Sequence, residues 1–213
     1  MNNKFLISLA VVLALGTTTT IIFRQKNAQA APSGYEIGSV VADFRLKNTD
    51  GSTFALSNYK DKKGVIVVFT CNHCPFAKAY EDRIIDLDKK FAASGFPVVA
   101  INPSDAASYE EDSYEKMVVR AKEKSYTFPY LSDDTQTTAK AFGAARTPHL
   151  FILKNEGGRF TVQYIGTIDD NAQDPASVTK RYVEDAVGNM LAGKPVVTTQ
   201  TKAVGCSIKW KDA

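Results

Sequence analysis

Val65-Ile66-Val67-Val68-Phe69 is a run of five apolar residues, four of them β-branched. It is long enough for a strand, too short for a helix of its own and apolar on both sides, so it belongs in the middle of a sheet covered on both faces. Behind it Phe76, Tyr80, Ile84, Leu87 and Phe91 recur at spacings of 4, 4, 3 and 4, the period of an amphipathic helix. Ser94-Gly95 closes that helix, and Pro97 to Ile101 form a second buried strand. Strand, helix and strand within about 37 residues make a βαβ unit, which is right-handed. This unit commits the chain to an α/β architecture and places Cys71-Asn72-His73-Cys74 at the strand-to-helix junction.

The remaining segments extend the same sheet. Asp43 to Leu46 and Ser52 to Leu56 alternate around Asp50-Gly51, the pattern of an N-terminal β-hairpin. A helix is predicted from Ser113 to Lys124 with Met117, Val118 and Ala121 inward, and a short one from Thr135 to Phe142. His149 to Leu153 and Phe160 to Ile165 flank Gly157-Gly158 as an antiparallel hairpin. A last helix, about Val178 to Ala192, is stopped by Gly193 and Pro195. The expected fold is a central mixed β-sheet flanked by helices. No repeat, low-complexity tract or linker interrupts Gly38 to Gly193, so residues 31–193 read as one domain and 194–213 as an extended C-terminal tail.

Residues 1–30 differ in kind. Met1 to Lys4 is positive, Phe5 to Gly16 apolar, and Ala28-Gln29-Ala30 offers the small residues a signal peptidase needs. The segment reads as an export signal. The competing reading is a retained N-terminal membrane anchor, since Phe5 to Phe23 spans 19 residues, interrupted by Thr17 to Thr20. Either way the rest of the chain is exported, to the periplasm or cell envelope. In such an oxidising compartment a cysteine pair cycles with a dedicated partner. Lys4, Arg24 and Lys26 lie in this segment with no acid, so without it 26 basic residues become 23, equal to the 23 acidic ones. A neutral chain has no global field for nucleic acid or an anionic membrane surface.

Three cysteines are too few for a disulfide scaffold. Two of them form the Cys-x-x-Cys motif, where the unpaired N–H groups of the first helical turn favour an anionic sulfur. Cys71, the outer one, is expected to have a lowered pKa and to act as nucleophile, while Cys74 resolves the mixed disulfide. His73 is placed to hydrogen-bond the Cys71 sulfur or to lie beside its charge. A merely structural disulfide in so tight a loop would constrain little chain entropy. A copper or zinc site of Cys71, Cys74 and His149 competes, because the only histidines, His73 and His149, are both expected near the motif. Otherwise no metal and no cofactor is called for. Cys206 lies 132 residues beyond Cys74 in a tail ending Lys209-Trp210-Lys211. It is either part of a packed tail whose Trp210 covers an apolar patch, or a third redox thiol.

Ile37-Gly38-Ser39-Val40-Val41-Ala42-Asp43-Phe44, the Cys-x-x-Cys after a buried strand, and Thr147-Pro148 before Phe151-Ile152-Leu153 resemble the thioredoxin-like redoxins of the alkyl hydroperoxide reductase and thiol-specific antioxidant superfamily. The likeness covers about Gly38 to Ala192. Phe69-Thr70-Cys71-Asn72-His73-Cys74-Pro75, Ile168-Asp169-Asp170-Asn171 and Gly205-Cys206-Ser207-Ile208-Lys209-Trp210 are similar to its peroxiredoxin-like subgroup. The resemblance implies a thioredoxin fold, Cys71 as nucleophile, Cys74 as resolving thiol and Pro148 as a cis-proline facing them. It also implies that Thr147 offers backbone hydrogen bonds to an extended partner segment.

The chain departs from its relatives in two ways. The strand 65–69 carries no acid to take a proton from Cys74, which leaves water, His73 or His149. Peroxiredoxins place Thr or Ser three residues before the reactive Cys and Pro further back, where this chain has Val68 and Gly64. Their activating Arg would align at Pro148, with Arg146 the nearest arginine. The function expected is therefore an exported thiol-disulfide oxidoreductase acting on protein thiols and disulfides through Cys71 and Cys74, with a redox donor protein. A thiol-dependent peroxidase and the copper or zinc redoxin are the alternatives.

Overall fold

Every residue from Gly64 to Phe69 is buried, as the unbroken apolar run requires. Residues 34–211 are described in the computed structural model. The expected export signal or anchor lies outside them. The strands are β1 (Val40–Val41), β2 (Arg45–Asn48), β3 (Thr53–Ala55), β4 (Gly64–Phe69), β5 (Val98–Asn102), β6 (Tyr130–Ser132), β7 (Arg146–Thr147), β8 (His149–Glu156), β9 (Arg159–Gly166) and β10 (Cys206–Ser207). The helices are α1 (Pro75–Phe91), α2 (Tyr114–Glu123), α3 (Thr137–Phe142) and α4 (Tyr182–Leu191).

Eight strands form one sheet in the order β1-β9-β8-β4-β5-β6-β2-β3, and β10 pairs with β7 in a separate ribbon. β4, β5 and β6 run parallel, while β8 lies antiparallel on the other side of β4 and β9 antiparallel to β8. Side chains alternate across the pleat. Ile66, Val68, Val98, Leu150 and Ile152 face α1, α2 and α4, and Val65, Val67, Phe69, Phe151 and Leu153 face α3 and the β2–β3 hairpin. Burying each such side chain contributes about 1.5–3 kcal/mol. This mixed sheet with helices on both faces is the thioredoxin-like fold implied by the resemblance. No helix among the described residues is long and apolar enough to cross a membrane.

α1 begins where the sequence suggests. Cys74 is the N-cap and Pro75 fills N1, a position that has no amide to lose. α4 starts later than its pattern indicates. The amides of Thr179 and Lys180 and the Thr179 hydroxyl donate to the Asp170 carboxylate, which holds that segment in a loop until Tyr182. α2 buries Met117, with Ala121 packed at the margin.

The tail returns across the molecule. Gln200 bridges to Ile165 of β9, and the Thr201 hydroxyl accepts the Thr167 amide at 3.0 Å. Ile208 is buried in the core on the α3 side, and Trp210 packs against its edge. At Lys209 and Lys211 the chain is gripped by the fully buried Gln136, whose Nε2 donates to the Lys209 carbonyl and whose Oε1 accepts the Lys211 amide.

Gly64 sits where β4 passes under Phe96 and beside the Leu153 carbonyl, and a Cβ there would overlap both. Gly64→Ala should therefore destabilise the fold by about 2–3 kcal/mol through overpacking. Urea denaturation with an unchanged midpoint would contradict this account of β4.

Candidate active site

The site is assembled around Thr147, the last residue of β7. Its hydroxyl lies 3.1 Å from Cys71 Sγ, its carbonyl oxygen lies 3.3 Å from Cys74 Sγ, and its backbone pairs with Cys206 of β10. The Thr147–Pro148 bond is cis. Cys71, Cys74, Thr147, Pro148 and Cys206 are thus brought together as the sequence suggests, but the sulfurs are partnered differently. Cys74 is disulfide-bonded to Cys206, with Cα atoms 6.1 Å apart, and Cys71 is a free thiol. The cause is the antiparallel β7–β10 ribbon, which sets Cys206 against the sulfur one turn inside the motif.

A second expectation is overturned here. Cys71 is 5 % exposed and Cys74 fully buried, with Phe76 and Cys206 packed over them. Burial pushes the Cys71 thiol up to about 11, and the negative charge of Asp112 adds to the rise. Hydrogen bonds from the Thr147 hydroxyl and the Cys74 amide pull the other way without offsetting it. With the disulfide closed, Cys71 is a protonated thiol.

His73 does not lie free between the cysteines. Its Nδ1 pairs with the buried carboxylate of Asp112, and its ring stacks on Tyr109 with centroids 3.7 Å apart. The other Asp112 oxygen accepts the Asn72 amide at 2.6 Å. Asn72 in turn donates through Nδ2 to the Glu111 carbonyl and accepts the Tyr130 hydroxyl at 2.9 Å. The two residues between the cysteines therefore pin the loop to the segment after β5. This is also the source of the acid that the strand 65–69 lacks. Nothing in Glu110-Glu111-Asp112 marks the third carboxylate as the buried one, and Tyr109, Asn72 and Tyr130 likewise carry no signal in the sequence.

His149 stands apart. It is on the same side of β8 as Phe151, 4.7 Å from that ring, and accepts the Ala145 amide at 3.4 Å. Burial lowers its pKa to about 4. Cys71, Cys74 and His149 cannot serve together as ligands in this state, because Cys74 is spent in the disulfide. Among the described residues, the donor atoms of Cys71, His73 and Asp112 lie within 4.8 Å of one another, a soft, borderline and hard set. The Asp112 oxygens in it are already engaged by Asn72 and His73. Arg146 donates to the Gly205 carbonyl at 2.8 Å.

The AhpC/TSA family matches residues 37–165. The chain belongs to that family. A hypothetical protein of Sinorhizobium meliloti 1021 is 36 % identical in its crystal structure, with a TM-score of 0.77 over 84 % of this chain and 97 % of its own. The chloroplastic peroxiredoxin Q of Triticum aestivum is 29 % identical over 137 residues, 60 % of this chain, and the chain spans little more than half of it, 57 %. The thiol-disulfide oxidoreductase ResA of Geobacillus kaustophilus is 28 % identical over 155 residues, covering 71 % of this chain and 79 % of that protein.

Two outcomes are expected. Alkylation of Cys71 by iodoacetamide, with the Cys74–Cys206 bond intact, should speed up about tenfold per pH unit from neutrality and level off only near pH 11. A plateau by pH 8 would show an acidic thiol instead. His149, held neutral by burial, contributes stability that is complete above its unfolded pKa of about 6.5 and is lost as pH falls toward 4. The loss is on the order of 3 kcal/mol. Urea titrations at pH 7 and pH 4 should show a smaller acid loss in His149→Gln than in the parent.

Proposed function

We propose that the chain is a thiol-disulfide oxidoreductase acting on protein thiols and disulfides on the far side of the membrane, with Cys71, Cys74 and Cys206 as its redox sulfurs. The observation that carries this reading is a free thiol and a disulfide gathered on one residue, Thr147. The Cys71 thiolate attacks Cys74 Sγ, the Cys74–Cys206 bond breaks, and Cys206 leaves as a thiolate that takes up a proton. A Cys71–Cys74 bond has formed with no net oxidation. A partner thiolate then attacks Cys71, and Cys74 leaves. The partner's second thiol attacks the mixed disulfide and leaves oxidised, and two electrons remain on the chain. Run backwards, the same steps reduce a partner disulfide.

His73, paired with Asp112, has a ring nitrogen within 4.8 Å of Cys71 Sγ; in this reading it relays the proton of the attacking thiol, and Thr147 and Pro148 hold the partner segment beside the pair. The ResA relative supports the assignment by its name. Export rests on the character of residues 1–30, with the redox donor a protein of the same compartment. Fast peroxide reduction is a poorer account. Arg146, the nearest arginine in sequence, is engaged by the Gly205 carbonyl, so the departing oxygen lacks its usual donor.

Cys71→Ser should abolish insulin reduction and thiol oxidation, while Cys74→Ser should accumulate mixed disulfides with partners on non-reducing gels. Undiminished turnover in Cys71→Ser would end the proposal.

A further inference from the structure

In the closed form, the backbone edge beside the cysteines is not empty. β10 lies along β7 with Cys206 opposite Thr147 and Ser207 opposite Arg146, and the Ile208 amide donates to the Ala145 carbonyl at 3.1 Å. The tail's sulfur is bonded to Cys74. Three features of this segment explain why it fits. Gly205 passes so close to the Thr147 carbonyl that a Cβ would overlap it and the Pro148 nitrogen. Ser207 remains exposed, whereas Ile208 is buried among apolar side chains on the α3 side. The Gly205 carbonyl is held by Arg146.

Resting on the oxidoreductase reading, we propose that Gly205 to Ile208 is an internal copy of the substrate's backbone, its own sulfur held by Cys74 where a partner's is taken by Cys71. The β7 edge selects extended protein segments in which a glycine immediately precedes the reactive cysteine and an apolar residue stands two positions after it, and the C-terminal tail competes for that edge, locked on it while the Cys74–Cys206 bond is closed and exchanging with partners once it is open. A side chain before the cysteine must displace backbone, because the atom it meets is a carbonyl in a strand. A polar group two positions later would be buried without a partner. Tail and substrate compete for one strip of backbone, so the closed chain is shut to partners and the opened chain admits them. The bond opens in either of two ways: Cys71 displaces Cys206 from Cys74 with no net electron transfer, or a dithiol donor gives two electrons and leaves as a disulfide while Cys74 and Cys206 become thiols.

The test uses the reduced full chain carrying Cys206→Ser and peptides whose single cysteine is capped as a mixed disulfide with thionitrobenzoate. Attack of a chain thiolate on the peptide sulfur releases thionitrobenzoate, which is followed by its absorbance. A peptide with Gly-Cys-Ser-Ile should react about tenfold faster than its Leu-Cys-Ser-Ile and Gly-Cys-Ser-Asp counterparts, after correction for their rates with free cysteine. Adding Gly205→Leu, which unseats the tail, should raise the rate with the glycine peptide further. Equal rates for the three peptides would overturn the docking proposal and leave the oxidoreductase standing. No effect of Gly205→Leu would overturn the competition by the tail. If no peptide reacts faster than with free cysteine, the oxidoreductase reading falls and this one with it.

Discussion

Thr147 is the point on which the rest of the site depends. One residue supplies a hydroxyl to the Cys71 thiol, a carbonyl oxygen against the Cys74 sulfur and a backbone edge for Cys206. It can do so because β7 ends beside the junction of β4 and α1, with β8 leading straight on through the sheet as the antiparallel neighbour of β4. The two strands are in register from Gly64 opposite Lys154 to Phe69 opposite His149, so the position of Thr147 relative to the cysteines is set by a ladder buried at every residue but Lys154. The chemistry sits at the ends of strands and at the start of a helix, and the precision comes from the core.

The acidity of Cys71 is decided by two opposing effects of unequal size. The end of a helix contributes about 0.3–1 kcal/mol to a nearby charge, less than one pKa unit at 1.36 kcal/mol each. Removing a thiol from water acts in the opposite sense and can shift a pKa by several units when burial is complete. With Phe76 and Cys206 packed over the sulfur and Asp112 nearby, burial wins. The motif's location at a helix start is therefore a poor guide to reactivity until one knows what covers it.

The sheet and α1 were legible because their signals are local: a strand buried on both faces has no polar residue, and a helix facing a sheet repeats every three to four positions. The start of α4 was not, because Asp170 captures backbone amides nine and ten residues ahead, and such capture leaves no periodic trace. The same limit hid Asp112, which is one of three adjacent acids in sequence and the only buried one in space. The partner of Cys74 was the hardest to read. Its identity depends on a two-residue ribbon that no hydrophobic pattern encodes, joining segments 59 residues apart, as the contact of Arg146 with Gly205 also does.

The disulfide links the first turn of α1 to a residue 132 positions later. During synthesis from the N-terminus, Cys71 is the other cysteine beside Cys74 until residue 206 has been made. The covalent closure seen here therefore comes after the sheet: a nascent or shortened chain that ends before residue 206 can possess every strand of the eight-stranded sheet, but it has no means of making this bond.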